Sequence, residues 1–147
     1  MQLPLLKNAE VKRKRVFLRA DLDVPIVNGK IDDDTRLSSA IPTIEYLLKQ
    51  KCKIIIGGHL GRPKGVDEGL SLKPIAEWFK EKMLKQVQHD TNKTKRGEFE
   101  GWEITDRIFL LENLRFHPEE ERNDLEFSKK LASLADIYVN DAFAMCH

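Results

Sequence analysis

The chain has 147 residues, with 25 Lys and Arg against 24 Asp and Glu and a hydrophobic fraction of 41%. That size predicts one globular domain able to bury roughly 70% of its unfolded surface. A net charge of +1 supplies no general field for nucleic acid or an anionic membrane, so neither partner is expected and any anion must be held by a local cluster of cations. No stretch reaches the roughly 18 apolar residues of a spanning helix, and Met1 to Lys7 lacks the pattern of a secretory leader, which predicts a cytoplasmic protein. Cys52 and Cys146 are then expected as reduced thiols.

In chain order, Val16-Phe17-Leu18 predicts a strand whose carboxyl end is Arg19 to Asp23, closed by Pro25. Asn28-Gly29 between two apolar pairs predicts a hairpin, because both central residues tolerate positive φ. Asp34 or Thr35 then caps a helix with Leu37, Ile41, Ile44 and Leu48 on one face, and Pro42 inside it predicts a kink. Cys52 to Ile56 is continuous and β-branched, the pattern of a strand covered on both faces, and Gly57-Gly58 ends it. Ser71 caps a second helix carrying Leu72, Ile75, Ala76, Phe79 and Met83. Lys85 to Gly101, where strongly apolar residues are scarce, predicts a surface loop or insertion. Ile108 to Leu111 is a further buried strand, Asn123 with Glu126 opens a helix bearing Phe127, Leu131, Leu134 and Ala135, and Ile137-Tyr138-Val139 starts a last strand. This alternation predicts an α/β fold, an open parallel sheet with helices on both faces in a Rossmann-like three-layer sandwich with right-handed crossovers.

Ligands of such sheets bind outside the carboxyl ends of the strands. The residues that follow the predicted strands are unusually basic: Arg19 with Asp21 and Asp23, then His59, Arg62 and Lys64, then Arg115 and His117, and finally His147. Arg36, at a helix amino end, joins them. Forked guanidinium groups at one rim suit phosphate or carboxylate, so a small, multiply anionic substrate is the expectation. In Gly57 to Gly65, four glycines admit close backbone approach and Arg62 and Lys64 flank it. Neither G-x-x-x-x-G-K-[ST] nor G-x-G-x-x-G occurs, so no nucleotide cradle is predicted.

Five ordered segments resemble the amino-terminal half of the phosphoglycerate kinase family. They are Arg19-Ala20-Asp21-Leu22-Asp23-Val24-Pro25, Asp34-Thr35-Arg36, Gly58-His59-Leu60-Gly61-Arg62-Pro63-Lys64-Gly65, Leu111-Glu112-Asn113-Leu114-Arg115-Phe116-His117-Pro118 and Tyr138-Val139-Asn140-Asp141-Ala142-Phe143. The resemblance implies a glycolytic, monomeric, cytoplasmic enzyme of two α/β domains. Its amino-terminal domain, here residues 1–147, holds 3-phosphoglycerate or 1,3-bisphosphoglycerate, and a carboxyl-terminal domain holds Mg-ADP or Mg-ATP. By the same resemblance, Asp21 and Asp23 meet the glycerate hydroxyl and carboxylate, and Arg36 sits against the transferring phosphoryl group as the catalytic residue. His59, Arg62 and Arg115 grip the distal phosphate, with Leu60 and Gly61 also in the substrate site; no residue of this chain is expected to bind a metal.

The chain differs from the family's usual pattern in carrying Asp23 where Asn is common, and Ala144-Met145-Cys146 where Gly-Thr-Ala is common. The family continues past the histidine that corresponds to His147 with a further arginine, a hinge and the nucleotide domain. The expectation is therefore an amino-terminal part of the enzyme that binds no nucleotide and does not turn over by itself. A non-catalytic phosphate-binding module, or an incomplete and inactive product, is the alternative reading.

Overall fold

A computed structural model describes residues 4–85 and 91–142. Its main sheet is built from β1 (Arg15–Arg19), β4 (Lys53–Gly57), β5 (Thr94–Arg96), β6 (Phe99–Thr105), β7 (Ile108–Leu111) and β8 (Ile137–Asn140). Their spatial order is β5-β6-β7-β4-β1-β8. The four strands β7, β4, β1 and β8 run parallel, with Val16 opposite both Ile54 and Ile137, and Ile54 opposite Ile108. These are the apolar runs of the sequence, and they alternate between two cores. Val16, Leu18, Ile54, Ile56, Ile108 and Leu110 face α1 (Thr35–Lys49) and α2 (Lys73–Leu84). Phe17, Ile55, Phe109 and Leu111 face α4 (Leu125–Ala132). A strand apolar on both faces needs cover on both, and the layers expected from the sequence are those observed.

Two features depart from that expectation. The sheet is mostly rather than wholly parallel, because β6 pairs antiparallel with β7, and β5 with β6. The residues read as a surface loop thus include a hairpin with an exposed outer strand. It is anchored by Phe99, Trp102 and Ile104, whose side chains are buried. The close approach of strands is visible at Gly101, where a Cβ would collide with the Leu110 carbonyl.

The short hairpin of β2 (Ile26–Val27) and β3 (Lys30–Ile31) forms as predicted, Asn28 and Gly29 taking φ of 52° and 74°. Helix α1 stays unbroken through Pro42, which lies on the solvent side where the Ser38 carbonyl can be hydrated. Its buried stripe is Leu37, Ala40, Ile44 and Leu47; Ile41 and Leu48 sit half-buried at its margin.

The caps also differ. Asp33, not Asp34 or Thr35, accepts from the Thr35 amide at 2.9 Å, while Asp34 accepts from the Trp78 indole at 3.0 Å. Helix α2 is capped from afar: Glu112 accepts from the Leu72 amide at 2.8 Å and from the Ser71 hydroxyl at 2.7 Å. Ser71 itself accepts from the Lys73 amide at 3.3 Å. At α4, Asp124 accepts from the Phe127 amide at 2.9 Å, and Asn123 instead takes φ of 55° in the turn after α3 (Pro118–Glu121).

Cys52 is buried and donates to the Val11 carbonyl at 3.1 Å, and burial raises its thiol pKa. Cys146 and His147 lie outside the described residues. Among the described residues, no helix is long and apolar enough to cross a membrane.

Candidate functional site

The loops after β1, β4 and β7 meet because their strands are neighbours. The Ala20 amide donates to the Gly57 carbonyl at 3.1 Å and the Leu114 amide to the Gly58 carbonyl at 3.0 Å. Close packing requires glycine at position 58: a Cβ there would lie 2.7 Å from the Ala20 carbonyl oxygen and 2.8 Å from Leu22 Cδ1. Gly61, with φ of 64°, then turns the loop back over Leu70.

On this frame the side chains form one connected group. The Asp23 carboxylate accepts from the Gly61 amide at 3.1 Å and lies 3.9 Å from His59 Nε2. Asp21 accepts from the Asp23 amide at 3.3 Å and from Arg36 at 3.5 Å, and Arg36 also donates to the Asp23 carbonyl at 3.1 Å. Arg115 donates to the Gly61 carbonyl at 3.3 Å. Asp21, Asp23, Arg36, His59, Gly61 and Arg115 are therefore brought together. Leu60 is buried and contributes its backbone, held on both sides by Asn113. Arg62 is exposed on the same loop and makes no hydrogen bond or ion pair among the described residues.

Two further residues of the rim have other partners than the sequence indicated. Arg19 turns from Asp21 and Asp23 to Glu120, at 3.1 Å, in a pair whose side chains are only 12% and 16% exposed. Glu120 also lies 3.7 Å from Arg115 Nε, so one carboxylate balances two guanidinium groups. That Nε is buried and has no hydrogen-bond partner. His117 leaves the rim and packs on Phe99 and Phe127, with ring centroids 5.7 and 5.2 Å away.

His59 is the electrostatic centre of the group. Arg19 approaches its Nδ1 at 3.5 Å. A guanidinium only donates, so Nδ1 is the acceptor and the ring proton sits on Nε2, facing Asp23. Burial first, then Arg115 and Arg19, hold the imidazole pKa below its ordinary 6.5, against Asp23 and Glu120. The imidazole thus lies between two guanidinium groups that are themselves paired with carboxylates, Arg19 with Glu120 and Arg115 with Glu120 and Glu121.

The residues missed by sequence reasoning are Glu120, Glu112 and Asn113. Glu120 had a signal, since Glu119-Glu120-Glu121 follows Arg115 closely and an acidic run beside a basic rim implies pairing. Glu112 and Asn113 are polar residues directly after an apolar run, the same position that singled out the arginines. Glu112 is buried, and Lys93 approaches it at 3.0 Å. Burial alone would lower the Lys93 pKa, but the Glu112 partner raises it on balance. Among the described residues, no group of three or more His, Cys, Asp and Glu is arranged to hold a metal ion.

The fold and rim together define a mostly parallel α/β protein with a cluster of paired cations and carboxylates at the carboxyl edge of its sheet. The chain belongs to the phosphoglycerate kinase family, whose model matches residues 6–147. It is 48% identical over 146 residues to the phosphoglycerate kinase of Moorella thermoacetica, covering 97% of this chain and 37% of that protein. To the cytosolic phosphoglycerate kinase of Triticum aestivum it is 49% identical over 145 residues, covering 97% and 36%. Among solved structures, that of the Coxiella burnetii phosphoglycerate kinase superposes with a TM-score of 0.78 at 35% identity, over 97% of this chain and 36% of the other. The chain thus spans little more than a third of the length of the relatives it matches.

Proposed function

We propose that this chain is the amino-terminal, substrate-binding part of a phosphoglycerate kinase, and that its rim holds 3-phosphoglycerate or 1,3-bisphosphoglycerate. The observation that carries this reading is the convergence of Asp21, Asp23, Arg36, His59, Gly61 and Arg115 from three loops and a helix start into one linked group. Arg36, whose side chain is 55% exposed, is free to swing toward a phosphoryl group at the mouth of the site. His59, Arg62 and Arg115 take the distal phosphate, with the Leu60 to Gly61 backbone beside it. Asp21 and Asp23 take the glycerate hydroxyl region.

The reaction in this reading is reversible transfer of a phosphoryl group between 1,3-bisphosphoglycerate and ADP. The acceptor in the ATP-consuming direction is already a carboxylate, so catalysis rests on positioning and charge neutralisation rather than on a general base. Mg-ADP or Mg-ATP is the second substrate. It is assigned to the part of the family's length that this chain does not span, since the sequence carries neither nucleotide-binding glycine motif. By itself the chain is assigned substrate binding without turnover, as a cytoplasmic protein.

Titration of the isotope-labelled chain with 3-phosphoglycerate tests this. Saturable amide shifts at residues 58–65 and around Arg36 are expected, with affinity falling about tenfold or more in Arg115→Ala and Arg36→Ala. No shift at millimolar ligand would overturn the reading, and normal turnover by this chain in a coupled ATP assay would overturn the assignment of the nucleotide site elsewhere.

A further inference from the structure

Asn113 is fully buried and makes four hydrogen bonds through its side chain. Its Oδ1 accepts from the Arg115 amide at 3.1 Å and from the Leu60 amide at 3.3 Å. Its Nδ2 donates to the Leu60 carbonyl at 2.8 Å and to the Leu70 carbonyl at 2.9 Å. The first bond is an ordinary turn cap. The other three cross to the segment between β4 and α2, so a single amide ties the loop after β7 to both ends of the loop that follows β4. Two acceptor sites and two hydrogens are all used, and no other side chain of that size offers two of each. A carboxylate has the acceptors without the hydrogens, and an aliphatic group has neither.

The residues on either side of Leu60 are the ones that meet the site. His59 faces Arg19 and Asp23, and Gly61 gives its amide to Asp23 and its carbonyl to Arg115. Asn113 is held in turn, its own amide donating to Glu112 at 2.8 Å. Glu112 is anchored by Ser71, Leu72 and Lys93.

We propose that Asn113 is a positioning residue that sets, through the Leu60 and Arg115 backbones, where His59, the Gly61 amide and the Arg115 guanidinium stand relative to substrate. This rests on the reading of the rim as a 3-phosphoglycerate site. Asn113 touches no substrate; it acts through the two loops it joins.

The test compares the 147-residue chain with Asn113→Asp, which keeps the acceptors and lacks both donors, and with Leu131→Ala, a control that loosens α4 on the far face. In free protein, amide-exchange protection at Leu60 and Gly61 is expected to drop about tenfold more than the chain average in N113D but not in L131A. Affinity for 3-phosphoglycerate is expected to fall about tenfold or more in N113D and to stay within about twofold in L131A. The N113D deficit relative to the unsubstituted chain narrows as pH falls and the introduced carboxyl regains a hydrogen to donate. Unchanged local protection, or an equal loss of affinity in L131A, would overturn the proposal. If the unsubstituted chain binds no 3-phosphoglycerate, the functional reading fails while the exchange comparison still decides whether Asn113 sets the loop. If N113D does not fold, the side-chain amide protons of Asn113 in the unsubstituted chain decide: slow exchange sustains the proposal, and exchange at the solvent rate overturns it.

Discussion

The Asp23 carboxylate stands between the Gly61 amide, 3.1 Å away, and His59 Nε2, 3.9 Å away, so its charge is held at the centre of the rim. An asparagine oxygen would accept from the Gly61 amide equally well. What differs is a negative charge where an anionic ligand is proposed.

Asp23→Asn is therefore expected to keep the loop in place and to tighten 3-phosphoglycerate binding. Two like charges about 4 Å apart at an effective dielectric near 20 repel by roughly 4 kcal/mol. The Asp23 side chain is 43% exposed, so solvent screens much of this, and a gain of about tenfold is expected. Calorimetric titration of both proteins checks it; equal affinities would mean that Arg36 already neutralises the extra charge.

Glu120→Gln separates stability from binding. The carboxylate balances Arg19 and Arg115 in a pocket where all three side chains are less than a fifth exposed. Removing its charge is expected to cost about 2–3 kcal/mol of stability, because Arg19 loses its partner and Arg115 keeps only the more exposed Glu121. The same change frees both for an incoming phosphate. Urea unfolding is expected to show the loss, and inorganic phosphate or 3-phosphoglycerate at millimolar concentration to restore more stability than it adds to the unsubstituted chain.

His59 predicts a pH dependence. Its folded pKa lies below the ordinary 6.5, so between the two values the unfolded chain binds the proton and the folded chain does not. This contribution to stability is present above 6.5 and is lost as pH falls through that window. Unfolding free energies of the chain and of His59→Gln, measured between pH 7.5 and pH 5.5, are expected to differ in slope, with the steeper acid loss in the unsubstituted chain. Parallel slopes would remove His59 as the cause.

Gly58→Ala probes the junction of the loops. The added methyl would press on the Ala20 carbonyl and on Leu22, which is 1% exposed and cannot move into solvent. A loss of about 2–3 kcal/mol is expected by thermal or urea unfolding. Displaced amide resonances at Asp21 and Asp23 are expected to accompany it, and a fully stable variant would show that the loops separate easily.

Much of this protein was legible before its fold was seen. Strands β1, β4 and β7 are continuous apolar runs between punctuating residues, and such runs find stability only inside a sheet covered on both faces. Helical connections between parallel strands then oblige most of the residues that follow them to gather at one edge, which is why Asp21, Asp23, His59 and Arg115 were found as a set. Strand β5, Thr94 to Arg96, had no such signal because all three residues are exposed. It is a strand only because β6 offers it backbone partners, with Arg96 pairing Glu103 at 2.9 Å and lying over the Phe109 ring.

Periodicity and chain order are enough to set the layers of the fold, the ends of β1, β4 and β7 and the basic character of the rim. Packing alone selects which carboxylate pairs with which cation, draws His117 away from the rim, and turns Glu112 and Asn113 to helix and loop rather than to solvent. The physical reason is the same in each case: a buried polar group takes whatever partner the packing brings within about 3 Å, and that partner is as often distant in sequence as near.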